Sequence, residues 1–233
     1  MDFARVEILK LLGEHPEIRT RVAEDFRDVD ALARADFLIT YTCDLRLAAA
    51  QEEALAGFVR EGKRWFALHG TNSVFNFLKD GTVSVPRMHR QFMETLGSQF
   101  IAHPPIVPFE VTNAAPGHPL VKGIESFEVE DELYLCEYHG EIESLLETRF
   151  TGEAAGFEEK DWPDDDPRLV MYLHPVSKGE VLYLTLGHCR GAYDMRPLID
   201  LYPRIERGAW ESPVFYELLR RGVRWAKGGL QAV

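Results

Sequence analysis

Two histidines stand in matching local contexts. His188 follows the apolar, β-prone run Val181–Leu186 across Gly187, and His69 follows Arg64-Trp65-Phe66-Ala67-Leu68 and precedes Gly70. An imidazole just past a buried strand lies where open α/β sheets hold ligand-binding groups, at the carboxyl ends of their strands. Near neutral pH such a group can work as a general base or as a metal ligand. The structural alternative is that each histidine closes its strand by hydrogen-bonding backbone. A single histidine favours that alternative, and the matched pair tips the reading towards function.

The acidic candidates are Asp131 and Glu132, in Asp131-Glu132-Leu133-Tyr134. Adjacent carboxylates are unfavourable within a β-prone run unless the chain breaks there or binds something. Neighbours on a strand face opposite ways, so only one of the two can point into a given cleft. A carboxylate beside an imidazole fixes its tautomer, which serves base catalysis and metal binding alike. The alternative is a turn with both acids in water. His103 precedes a proline and is held extended, within reach of a site, whereas His118, also before a proline, reads as ordering a turn. His139 fits either role, and His15 and His89 read as surface residues.

Cys43, Cys136 and Cys189 are too few and too scattered for a disulfide framework or a zinc knuckle. Tyr41-Thr42-Cys43-Asp44-Leu45 lacks the small residues of a nucleophile elbow. Cys43 and Cys189 therefore read as buried and inert. Asp164-Asp165-Asp166 offers hard oxygen ligands, but a solvated loop explains it as well.

The elements that must place these residues read as α/β. Asp2–Glu14 reads as a helix and Glu17–Phe26 as an edge strand. A strand over Ala35–Thr42, a helix over Leu47–Glu61 closed by Gly62, and a strand over Arg64–Leu68 have the spacing of a βαβ crossover, hence a parallel sheet. Met88–Phe100 reads as helical. Pro108–Thr112, Phe127–Tyr138 and Ile142–Phe150 read as strands, some antiparallel, and 152–168 as a loop. Leu169–His174 and Val181–Leu186 are strands separated by Ser177-Lys178-Gly179, a natural hairpin turn. Pro213–Lys227 closes the chain as a helix, with Ser212 as N-cap and Pro213 at N1.

Composition narrows the partners. The 233 residues are 45% hydrophobic, enough for a sizeable core. The net charge is −12, from 38 acidic and 26 basic residues, so nucleic acid is not the expected partner. No segment is apolar for long enough to span a bilayer, and the first residues lack the pattern of a signal peptide. A cytoplasmic protein with a small-molecule ligand and no membrane partner is expected; a homo-oligomer is compatible with this.

In order along the chain, Phe66-Ala67-Leu68-His69-Gly70, Leu96-Gly97-Ser98-Gln99-Phe100 with His103 beyond, His118-Pro119-Leu120 with Gly123-Ile124, Asp131-Glu132-Leu133-Tyr134, Leu186-Gly187-His188 and Arg221-Gly222-Val223-Arg224-Trp225-Ala226 resemble the trehalose-utilisation, or ThuA-like, family. The resemblance implies the fold of class I glutamine amidotransferases, a flavodoxin-like three-layer α/β sandwich. Its central sheet would be mostly parallel with some antiparallel strands, in one domain over 1–233. Members usually open with a strand and a glycine-containing loop, and this chain opens in a helix, so the first strand is expected to be lacking. The resemblance also implies carbohydrate metabolism, around trehalose, other disaccharides or their keto forms. The amidotransferase cysteine would follow the strand that here ends in His69-Gly70-Thr71, so cysteine-dependent glutamine hydrolysis is not expected. His188 falls at the position of the amidotransferase triad histidine.

The resulting expectation is a sugar-processing site at the carboxyl edge of the sheet. His69, His188, Asp131 and Glu132 are its catalytic candidates, and Asn72, His103, Tyr134 and Arg190 its substrate-binding ones. A divalent metal such as zinc, on His69, His188 and His103 with a carboxylate, is the variant chemistry. A non-catalytic sugar-binding or regulatory protein is the rival.

Overall fold

The computed structural model describes residues 2–194, 200 and 203–229. Its helices are α1 (Asp2–Gly13), α2 (Val29–Arg34), α3 (Ala49–Arg60), α4 (Arg90–Leu96) and α5 (Pro213–Ala226). Its strands, in chain order, are β1 (Phe37–Tyr41), β2 (Arg64–Leu68), β3 (Asn76–Phe77), β4 (Val83–Ser84), β5 (Ser98–Ala102), β6 (Val107–Asn113) and β7 (Phe127–Asp131). They continue with β8 (Leu135–Tyr138), β9 (Glu143–Thr148), β10 (Gly152–Glu153), β11 (Asp161–Trp162), β12 (Arg168–Val176) and β13 (Gly179–Leu184). Seven of them form the main sheet, in the order β1-β2-β13-β12-β9-β6-β7. Among the described residues, no helix is long and apolar enough to cross a membrane.

The expected flavodoxin-like α/β sandwich is what the chain forms, with parallel and antiparallel pairing in one sheet. β1, β2 and β13 pair in parallel. From β13 onward, through β12, β9, β6 and β7, the pairings are antiparallel. The β12–β13 hairpin turns at Ser177-Lys178, as its sequence foretells. β13 then inserts beside β2, with Leu184 opposite Leu68. That register brings the chain after β2 and the chain after β13 to the same edge.

Strand alternation divides the core into two layers. Phe66 and Leu68 of β2 and Leu182 and Leu184 of β13 face α1 and α5, packing with Leu11, Phe215, Leu218 and Leu219. Trp65, Ala67, Val181 and Tyr183 face the opposite way, against Leu32 of α2, Leu55 and Phe58 of α3 and Phe92 of α4. Because both faces are covered, these strands are apolar beyond Arg64 and Glu180 at their starts. α5 comes so close to β2 that a Cβ at Gly222 would lie 2.2 Å from the buried Phe66 ring. Gly222→Ala should therefore destabilise the protein by about 1–3 kcal/mol in denaturant unfolding. Wild-type stability in that variant would mean that Phe66 has room to move.

Several elements differ from the sequence reading. Glu17–Phe26 is not a strand. Its apolar residues Ile18, Val22 and Phe26 recur every four positions rather than every two, and Val22 stays exposed. Met88–Phe100 divides at Gly97 into α4 and β5. The run Phe127–Tyr138 breaks after Asp131: β7 pairs with β6, while β8 pairs with β5 in a separate ribbon. The loop 152–168 contains the small β10–β11 hairpin. α2 is a short helix that the sequence pattern does not announce, capped by the Asp28 side chain. Ser212 precedes α5 without making a side-chain cap, although Pro213 stands at the start as expected.

Candidate active site

His69 is the first residue after β2 and has a left-handed backbone, φ 44°. A non-glycine residue there is strained and must be held by its surroundings. Here the buried Tyr183 hydroxyl donates to the His69 carbonyl. On the ring, Nδ1 lies 3.0 Å from the Thr185 carbonyl. A carbonyl only accepts, so Nδ1 carries the proton and Nε2 presents a lone pair to the cleft. Tyr41, at the end of β1, stacks on the ring with centroids 5.9 Å apart.

His188 reaches the same place from β13. Gly187 turns the chain at φ 122°, a conformation that favours glycine. Its carbonyl accepts from the Tyr41 hydroxyl and from Trp210 Nε1, each at 2.8 Å. The two imidazole centroids are 5.7 Å apart. His188 Nδ1 lies 2.9 Å from Glu132 Oε1, and its Nε2 lies 2.7 Å from Glu206 Oε2. Glu206 in turn pairs with the Arg190 guanidinium. The backbones of Arg190 and Glu206 also exchange hydrogen bonds, at 3.0 and 2.9 Å, which fixes Glu206 behind the ring.

The break after β7 separates the two acids. Asp131 turns inward, 1% exposed, and accepts from the backbone N–H groups of Gly187 (3.0 Å), His188 (3.1 Å), Ala209 (2.7 Å) and Glu132 (2.7 Å). It ties the His188 loop to the end of β7. Glu132 is the acid that enters the cleft, 3.5 Å from His69 Nε2 and 3.8 Å from His103 Nε2 as well as bonded to His188. Tyr134 follows on the same side, its hydroxyl 3.4 Å from His69 Nε2. Leu133 instead lines an apolar cavity of about 410 Å³ with Pro104, Val107, Phe109 and Phe150, separate from the imidazoles.

Charges reinforce this arrangement. Burial works against a charged Glu132, yet the imidazoles of His103, His188 and His69 outweigh it and hold the carboxyl well below its usual range. Burial also opposes charge on His188, but Glu132, Glu206 and Asp131 overcome it and lift the imidazole to about 9. At His69 burial wins over Glu132 and Asp131, and the imidazole is pushed below its ordinary value. Burial and the Glu132 charge push the Tyr134 phenol far up, so it remains a neutral donor. The site thus combines one anion, one neutral imidazole and one protonated imidazole.

Of the residues expected here, His69, His188, Glu132, His103 and Tyr134 converge. Arg190 stands one layer back, on Glu206, and Asp131 stabilises the loop from inside. Asn72 is fully buried below the site, donating to Ser98 Oγ at 2.7 Å, and does not line the cleft. Cys43 differs from expectation in being solvent-accessible, in a recess at the end of β1. Protein packed around the thiol, with Glu132 and Asp44, pushes it up to about 12, so it remains an unreactive thiol. Sequence reasoning missed Glu206 and Tyr41. Tyr41 carried a usable signal, since it closes a strand at the same edge; Glu206, between Ile205 and Arg207 in irregular chain, carried none.

No curated protein matches the chain. Among solved structures, a ThuA-like protein from Bacteroides uniformis ATCC 8492 is similar with a TM-score of 0.65 and 16% identity, over 96% of this chain and 82% of that one. A ThuA-like protein from Parabacteroides merdae ATCC 43184 is similar with a TM-score of 0.60 and 15% identity, over 99% of this chain and 87% of that one. At such identities the likeness concerns the fold. The family model described as ThuA, trehalose utilisation, matches residues 4–202, a span that includes both histidine loops and the Glu132 segment. The chain belongs to the ThuA trehalose-utilisation family.

Proposed function

We propose that this protein binds and processes a carbohydrate, a disaccharide such as trehalose or its keto form, at the carboxyl edge of the β2–β13 pair. The observation that carries the proposal is the half-buried Glu132 carboxylate with imidazoles of three histidines within 3.8 Å. A carboxylate and imidazoles of opposite protonation can take a proton from one sugar oxygen or carbon and return one to another. Tyr134 and His103 supply an aromatic face and polar edges of the kind that receive a sugar ring. Glutamine hydrolysis through a cysteine is not part of the proposal, because the residue at the turn after β2 is His69.

A thermal-shift screen of mono- and disaccharides and their keto derivatives tests this, followed by mass spectrometry of any product. At a hundredfold excess over Kd, the right sugar should raise the melting temperature by about 5–10 °C, and His69→Ala and His188→Ala should remove turnover. The assignment fails if no sugar stabilises the protein, or if both variants keep wild-type turnover. Stabilisation with no product would make the protein a sugar-binding rather than a sugar-processing one.

A further inference from the structure

We infer that His69 Nε2, His188 Nδ1 and a Glu132 carboxylate oxygen form a binding site for one first-row divalent cation, with zinc as the best fit. The inference rests on the site proposed above and names what that site holds besides sugar. Each of the three residues offers a ligand atom, and these atoms lie within 4.8 Å of one another. A tetrahedral cation about 2.0–2.2 Å from each donor needs them roughly 3.4 Å apart. Side-chain adjustments of about an ångström would reach that geometry.

The distal nitrogens make the stronger case. Histidines that bind metals give their other ring nitrogen to a carbonyl or carboxylate, which orients the ring and sharpens the donor. Both histidines do so: His69 Nδ1 to the Thr185 carbonyl at 3.0 Å, and His188 Nε2 to Glu206 at 2.7 Å. The Thr185 contact has a further effect. It leaves the Nε2 lone pair of His69 facing Glu132 Oε2 at 3.5 Å, so two acceptors meet in a buried place. A cation between them resolves that repulsion by taking both as ligands, which the single long contact from the Tyr134 hydroxyl, 3.4 Å from Nε2, does not do for the carboxylate.

Two imidazoles and one carboxylate, with no thiolate among them, suit zinc and its first-row neighbours. The donors come from three separate segments, after β2, β7 and β13, so they approach a cation from different sides. Three protein donors would leave a tetrahedral cation one further position for water or a sugar oxygen. Binding sends the proton on His188 Nδ1 to solvent, while Nε2–H continues to donate to Glu206. His103, 3.8 Å from Glu132, lies outside the three-donor group.

The test uses tag-free protein stripped with chelator and titrated with zinc by calorimetry, with cobalt substitution read by visible absorption. One equivalent should bind, and bound cobalt should show ligand-field bands without a thiolate charge-transfer band. His69→Ala should abolish stoichiometric binding. Glu206→Gln, which touches no metal, should weaken binding about 10–100-fold while circular dichroism shows a native fold. Absence of saturable binding, or zinc affinity unchanged in both variants, would overturn the inference. The sugar screen repeated on stripped protein separates the two proposals: sugar stabilisation without any metal binding removes the cation and leaves the sugar site standing.

Discussion

Replacing Asp131 with alanine should destabilise the protein by about 3–5 kcal/mol, one of the largest effects of any single side chain near the site. The carboxylate is 1% exposed and accepts from four backbone N–H groups, those of Glu132, Gly187, His188 and Ala209. Alanine would leave those donors buried without partners, and each such group costs about 1–3 kcal/mol. Asparagine should recover little, since its amide nitrogen would face backbone N–H groups. Denaturant unfolding measures the loss. A midpoint within experimental error of wild type would mean that the His188 loop is held by something else. The same variant should lose sugar and zinc binding at temperatures where it is still folded, because Asp131 sets where His188 stands.

Glu132→Gln separates chemistry from architecture. The amide matches the carboxylate in shape, and Glu132 lies at the cleft rather than in the core, so the fold should remain. Turnover of the sugar found by the screen should fall about 10²–10⁴-fold, the usual contribution of one positioned proton-transfer group. Most of the loss should appear in kcat, since the same volume still lines the site. Kinetics within threefold of wild type would take Glu132 out of the reaction and leave the imidazoles to account for it.

The parts of the site that follow strand grammar are legible in the sequence. A buried run ending in a histidine beside a glycine is a local pattern, and it singles out His69 and His188 without any tertiary information. Asp131-Glu132 is legible as a place where a strand ought to break, but not as to which acid enters the cleft. That depends on where β7 leaves the main sheet and β8 joins another ribbon, a tertiary matter. Asn72 reads as a site residue because it follows His69 closely. The tight turn after β2 instead carries it beneath the sheet edge, against Ser98. Glu206 is not legible at all, since its place is set by an exchange of hydrogen bonds with Arg190. Glu17–Phe26 shows the opposite error, apolar residues that suggest a strand despite a spacing of four.

The placement of β13 between β2 and β12 has a consequence for how the protein comes into being. His69 and the Thr185 carbonyl that fixes its tautomer are 116 residues apart, and Glu206 comes later still. Such non-local pairing closes slowly, because a long loop must be ordered before any contact rewards it. During synthesis the first histidine, its strained turn and the Glu132 segment leave the ribosome well before the partners that define them. A nascent chain therefore has no half-formed version of this chemistry. The site should appear in one late step, when β13 docks and α5 seals its outer face, and C-terminal truncations that remove Glu206 should be inert however well the rest of the sheet folds.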